Sequence, residues 1–191
     1  MRHSALPGAL LGAILALAAS GRVNAQQAAK PGVDEFALRG QREARAIKYG
    51  DWEKVCFKPG GSKTICRTTI GGDFETGQSA VRVYVVEREG DSVARLQVFL
   101  PVGLYMPAGV KLIVDKGMAY KLPFTWCLTN TCIAGDLVKP EWLRNMENGS
   151  DLTIEVVDTN MLAVTTTLPL NRFAAARNGA PIKVFEQNIE E

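Results

Sequence analysis

The chain has 191 residues, 47% of them hydrophobic and 22% charged, which is the make-up of one ordinary globular domain and excludes disorder and collagen-like repeats. Residues 1–25 hold two of the 22 basic residues, Arg2 and Arg22, and none of the 20 acidic ones, so the formal charge of +2 falls to zero for the remainder. A neutral chain has no overall field to draw it onto nucleic acid or an anionic membrane.

Arg2 and His3 precede an apolar run over residues 5–19, interrupted by Pro7, Gly8 and Gly12, and Val23-Asn24-Ala25 then supplies small residues for cleavage. This reads as a secretory signal peptide cut after Ala25; the run is short of the roughly 20 residues that a membrane span needs. The first cysteine is Cys56, so no acylated cysteine follows the cleavage site. The expectation is a periplasmic or secreted bacterial protein with no transmembrane segment once the signal is removed. His3 is the only histidine, and its loss removes every mechanism that needs an imidazole base or metal ligand. Residues 26–45 are rich in Ala, Gln, Gly and charge, with Arg39, Arg42, Arg45 and Lys48 three apart, and read as a leader or a short solvated helix.

Beyond Tyr49 the hydrophobic period becomes two. Val81, Val83 and Val85 alternate with Arg82 and Tyr84; Leu96, Val98 and Leu100 alternate with Gln97 and Phe99; Val110, Leu112 and Val114 follow the same rule. These are half-buried strands, with turn signals at Gly90-Asp91 and Asp115-Lys116-Gly117. Gly60-Gly61 and Gly71-Gly72 also read as turn glycines. One helix is predicted from Pro140 to a stop at Gly149, with Trp142, Leu143 and Met146 on one side. Leu152, Ile154 and Val156 then form a hairpin with Leu162, Val164 and Thr166 across Asp158-Thr159-Asn160. Residues 170–177 close with a helical turn or two, and residues 181–191 read as a C-terminal tail, loose from Glu186 to Glu191. Many short strands with little helix predict an all-β sandwich over residues 46–180.

Cys56, Cys66, Cys127 and Cys132 are an even set in a chain read as exported, which favours two disulfides among three possible pairings. Cys56 and Cys66 are equidistant from Gly61 in a Pro-Gly-Gly turn, and Cys127 and Cys132 are symmetric about Thr129-Asn130. Hairpins at those turns would face each pair across a ladder, so 56–66 and 127–132 are the expected bonds. A zinc site fits only half of the usual knuckle spacing, and Cys127-Leu-Thr-Asn-Thr-Cys132 is not the Cys-x-x-Cys of a redox helix. No metal or cofactor is expected.

The segment Leu100-Pro-Val-Gly-Leu-Tyr-Met-Pro-Ala-Gly-Val-Lys-Leu112, with Pro-x-Gly twice six residues apart, resembles the central signature of the invasion-associated locus B family. Trp52 to Cys66 resembles that family's Trp-x-x-x-Cys opening and second cysteine. Phe124-Thr-Trp-Cys127 with Cys132-Ile-Ala resembles its paired cysteines, and Leu168 to Ala176 its ending. Thr131 and Arg172 stand where the family pattern has glycine, and Thr131 is expected to strain the 127–132 turn. The resemblance implies an exported, immunoglobulin-like sandwich of antiparallel strands without catalytic residues, associated in some pathogens with entry into host cells. Independently of it, prolines that cannot donate to a ladder and glycines that permit bends predict that residues 101–109 cross between sheets or form an edge.

The function expected is a non-enzymatic module that binds a protein or an envelope or host-surface component. Tyr105, between the Pro-x-Gly units, is the candidate partner anchor, in competition with a place in the core. The alternatives are a structural or chaperone-like envelope protein that adds a partner strand to a sheet edge, and a carboxylate-based glycan hydrolase drawing on Asp51, Glu53, Asp73 and Glu75.

Overall fold

The computed structural model describes residues 37–187; the expected signal peptide, its cleavage site and residues 26–36 of the leader lie outside them. In chain order the strands are β1 (Gly40–Glu43), β2 (Ile47–Tyr49), β3 (Glu53–Lys58), β4 (Ile65–Phe74), β5 (Ser79–Arg88), β6 (Ala94–Pro101), β7 (Val110–Val114), β8 (Tyr120–Leu122), β9 (Phe124–Cys127), β10 (Thr131–Val138), β11 (Asp151–Val157), β12 (Leu162–Pro169) and β13 (Lys183–Glu186). Helix α1 (Pro140–Asn148) precedes β11, and α2 (Phe173–Asn178) follows β12.

The strands make two sheets. One has the order β1-β12-β11-β7-β8; the other runs β13-β3-β4-β5-β6-β10-β9, with β2 also pairing β4. The alternation predicted from sequence sets their inner faces: Val83, Val85, Leu96 and Val98 from the larger sheet and Val110, Leu112, Leu152, Ile154 and Leu168 from the smaller one share a single buried cluster. That cluster is the filling of a sandwich, where burial of aliphatic side chains supplies most of the stabilisation. Residues 102–109 carry the chain from β6 in the larger sheet to β7 in the smaller, the sheet crossing that their prolines and glycines predict.

Helix α1 is another crossover, from β10 to β11, and buries Leu143 and Met146. Glycine is needed at the extended residue after it, Gly149, for a steric reason and not a conformational one: its φ of −85° suits any residue, but a Cβ there would collide with Val114 Cγ1 and sit 3.1 Å from the Asn145 carbonyl. Neither the stiff valine nor the backbone can withdraw cheaply. Gly149→Ala is therefore expected to cost about 1–3 kcal/mol by overpacking, read as a lower urea midpoint with an unchanged m value.

Three expectations are corrected. Gly40–Glu43, in the segment read as a leader or short helix, is a strand paired in parallel with β12, Gly40 opposite Leu162 and Glu43 opposite Thr165. Good helix formers such as Gln41, Arg42 and Glu43 are overridden here because the free edge of β12 supplies partners for the segment's backbone N–H and C=O groups. Residues 181–191, read as a C-terminal tail outside the sandwich, contain β13, which pairs in parallel with β3 from Val55 to Lys58. The sandwich thus reaches beyond residues 46–180 at both ends. Gly71 and Gly72 are not in a turn but within β4, where a Cβ on Gly72 would meet Ile47 and Tyr49 of β2 at 2.6 and 2.7 Å; the bare backbone lets β2 close onto β4.

Candidate functional site

The larger sheet gathers the residues best suited to recognition. Its outward positions on β5 and β6, opposite the buried valines, carry Tyr84 and Phe99, whose rings meet at a tilt of 48° with centroids 4.6 Å apart. The Arg67 guanidinium of β4 lies over the Tyr84 ring at 4.5 Å. Register extends the row: Phe99 is opposite Ile133 of β10, and Ile133 is opposite Trp126 of the edge strand β9. Directly opposed residues share a face, so Arg67, Tyr84, Phe99, Ile133 and Trp126 form one row across the outer face of the sheet, with Ile133 itself buried within it. Trp126 ends it, 61% exposed.

Trp126 faces outward because of a bulge. Phe124 pairs with Ala134 and packs against the core, and strict alternation would turn Trp126 inward as well. Two residues of β9 are spent against one of β10 between Ala134 and Ile133, which shifts the side-chain alternation and re-aims the indole. Thr125, in the extra position, is held by its hydroxyl donating to the Ile133 carbonyl at 3.0 Å.

The disulfides fix both flanks of this sheet. Cys56 and Cys66 oppose one another on β3 and β4 and are bonded, as are Cys127 and Cys132 on β9 and β10. The second bond fastens the edge strand next to Trp126, and Met106 Sδ packs 3.5 Å from Cys127 Sγ, joining the staple to the 102–109 crossover. Thr131 carries no strain: its φ is not positive, it lies in β10, and its hydroxyl donates to the Leu100 carbonyl at 3.0 Å. Arg172 is equally at ease, with φ −114° and an ion pair to Asp51 at 3.0 Å.

Tyr105 is half-buried on the crossover, beside the short 3-10 turn Met106–Ala108, and its amide donates to the Val157 carbonyl at 2.8 Å. It is not part of the aromatic band. The band was nonetheless legible in part, since Tyr84 and Phe99 occupy outward positions of readable strands; Trp126 was hidden by the bulge.

Asp51 is engaged by Arg172, Asp73 lies 3.6 Å from Arg82, and Glu53 is exposed on β3. Among the described residues no three carboxylate or cysteine side chains converge as metal ligands. Where carboxyls are perturbed, structural ties explain it. Asp158 is held below the usual carboxylate range chiefly by the Leu162 amide, against the opposing effect of burial, with Arg42 and the Asn160 amide assisting. Its Oδ1 thereby closes the β11–β12 turn.

A family model described as Invasion associated locus B (IalB) protein matches residues 52–181. The chain belongs to the IalB family. Among solved structures, the crystal structure of invasion associated protein B from Bartonella henselae is similar, with a TM-score of 0.61 and 21% identity over 69% of this chain and 90% of that one; at that identity it speaks for the shared fold. No curated protein matches. The IalB match opens at Trp52, whose indole N–H donates to the Pro169 carbonyl at 2.8 Å, and it includes both cysteine pairs and the crossover. β1 and β2 precede it, and β13 follows it. Two disulfides in an IalB protein fit export into an oxidising compartment.

Proposed function

We propose that this IalB protein is an exported, non-enzymatic module, released into the periplasm or beyond after cleavage at Ala25, whose immunoglobulin-like sandwich is a rigid frame for binding a protein or surface component. The observation that carries the reading is the band from Arg67 to Trp126. Tyr, Trp and Arg are the residues in which interface energy concentrates, and here they lie on a sheet face whose edge is held by a disulfide, so little ordering entropy is lost on binding.

The test is affinity capture from native envelopes and culture medium. A partner held by the wild-type protein should be held at least about tenfold more weakly by Trp126→Ala, with the melting temperature unchanged because the indole is exposed. Tyr105→Ala is expected to lower stability and leave capture intact. Alanine at Asp51, Glu53, Asp73 or Glu75 should have little effect on capture. A glycan turnover abolished by one of those four substitutions in a folded protein would overturn the proposal.

A further inference from the structure

At one end of the sandwich, away from the aromatic band's outer face, the two sheets part around a cavity of about 580 Å³. Its floor is the core itself, with Val81 and Leu100 from the larger sheet facing Ile154 and Val156 from the smaller. Two connections that pass between the sheets line its sides: residues 44–46, from β1 to β2, and residues 102–104, within the β6–β7 crossover. Protein interiors are close-packed, with few voids larger than a water molecule. A space of this size, open to solvent and walled by aliphatic side chains, has the dimensions of a small-molecule site. Ala44, Ala46 and Ala80 keep it open, because larger side chains there would fill it.

The charged residues that line the cavity are Arg42, Arg45, Glu75 and Asp158, two of each sign. Arg42 donates to Asp158 Oδ2 at 3.3 Å, and Asp158 Oδ1 already accepts two backbone N–H groups, so that pair is internally satisfied. Arg45 is exposed on the 44–46 connection and, among the described residues, has no carboxylate within 4.0 Å. Glu75, on the β4–β5 turn, lines the same cavity. Arg42 of β1 and Arg45 of the 44–46 strap thus both line the apolar well, and Arg45 is the one that, among the described residues, no carboxylate engages.

We infer that this cavity takes the chain of a single-chain anionic amphiphile, with the apolar tail between the sheets and the head against Arg45. The tail gains by leaving water, the head stays at the solvated mouth, and neither requires a polar group to be buried. A free fatty acid and a lysophospholipid share this chemistry. The site is separate from the aromatic band and stands whether or not that band binds a partner.

The experiment is a titration of the purified protein with cis-parinaric acid, a fatty acid that fluoresces in apolar surroundings, followed by displacement with oleic acid in one arm and oleoyl lysophosphatidylglycerol in the other. Saturable one-to-one binding is expected, displaced by at least one competitor, and the competitor that displaces identifies the source. Ala46→Trp, which plugs the well from an exposed strap position, should weaken the probe at least about tenfold, and Val102→Trp on the other connection serves as a second plug should the first fail to fold. Arg45→Glu should weaken the probe about fivefold while leaving a fatty alcohol within about twofold. Absence of saturable binding, unaltered affinity in a folded plug variant, or an Arg45→Glu protein that binds acid and alcohol as the wild type does would overturn the inference.

Discussion

Phe173→Ala is expected to destabilise the domain by about 3–5 kcal/mol, the range for removing a fully buried aromatic ring. Phe173 has no exposed surface and meets Trp52 with ring centroids 4.7 Å apart and planes tilted by 60°. Trp52 is in turn tied to the Pro169 carbonyl at the end of β12. The ring thus bonds α2 to the start of β3 and to the last turn of the smaller sheet, and the void left by alanine would be walled by residues from all three. Phe173→Leu should recover more than half of the loss, because it restores volume but not the ring contact. Chemical denaturation of both variants checks this; a loss below about 1 kcal/mol for alanine would mean that α2 collapses into the gap.

The second large effect concerns Arg177. Its guanidinium donates twice to Glu87 of β5, at 2.6 and 3.2 Å, and to Glu147 of α1 at 2.6 Å, while Asn178 adds a bond to the same Glu147 oxygen. One side chain of α2 therefore clamps a helix and a strand, and Arg177→Met would strand two carboxylates in a partly enclosed site. A fully buried pair broken in this way costs about 3–5 kcal/mol. With the arginine and its partners still partly solvated, about 2–3 kcal/mol is expected. Burial alone would raise the Glu147 carboxyl, but the bonds from Asn178 and Arg177 outweigh it and hold the group below its ordinary value. A carboxyl lowered on folding stabilises the protein above its unfolded value and loses that contribution as the pH falls through the folded one. The wild type should accordingly lose stability as the pH drops below about 4.3, and Arg177→Met should show a shallower slope there. Equal slopes for the two proteins would sink the clamp.

The parts of the fold legible in the sequence are those whose side chains carry a burial signal. Val81 to Val85, Leu96 to Leu100 and Leu152 to Val156 alternate because one face of each strand fills the sandwich, and α1 announces itself through Pro140 at its start and Gly149 just past its end. β1 and β13 carry no such signal, since every side chain in both is exposed; they are strands only because a neighbour's backbone is there to pair with, and that neighbour is remote in sequence. The aromatic band is legible position by position but not as a band, because its continuity depends on the register between β5, β6, β10 and β9. Trp126 is the clearest case: a one-residue bulge reverses its face, and nothing in Phe124-Thr-Trp-Cys announces where the extra residue falls. The cavity is less legible still, because apolar residues that line a well and apolar residues that fill a core follow the same alternation.

The two parallel pairs have a kinetic meaning. β1 waits for β12, and β3 cannot be flanked on its outer side until β13 arrives, so each sheet is finished by joining segments from opposite ends of the domain. Contacts of that sequence separation carry the largest loop-closure entropy and form late. A chain emerging N-terminus first would hold the β3–β4 and β5–β6 hairpins early, the former already held by its disulfide, and would remain open at both margins until its final residues appeared. Both sheets are therefore complete only when residues 40–186 are all available at once, because the strands that close them come from the two ends of the domain.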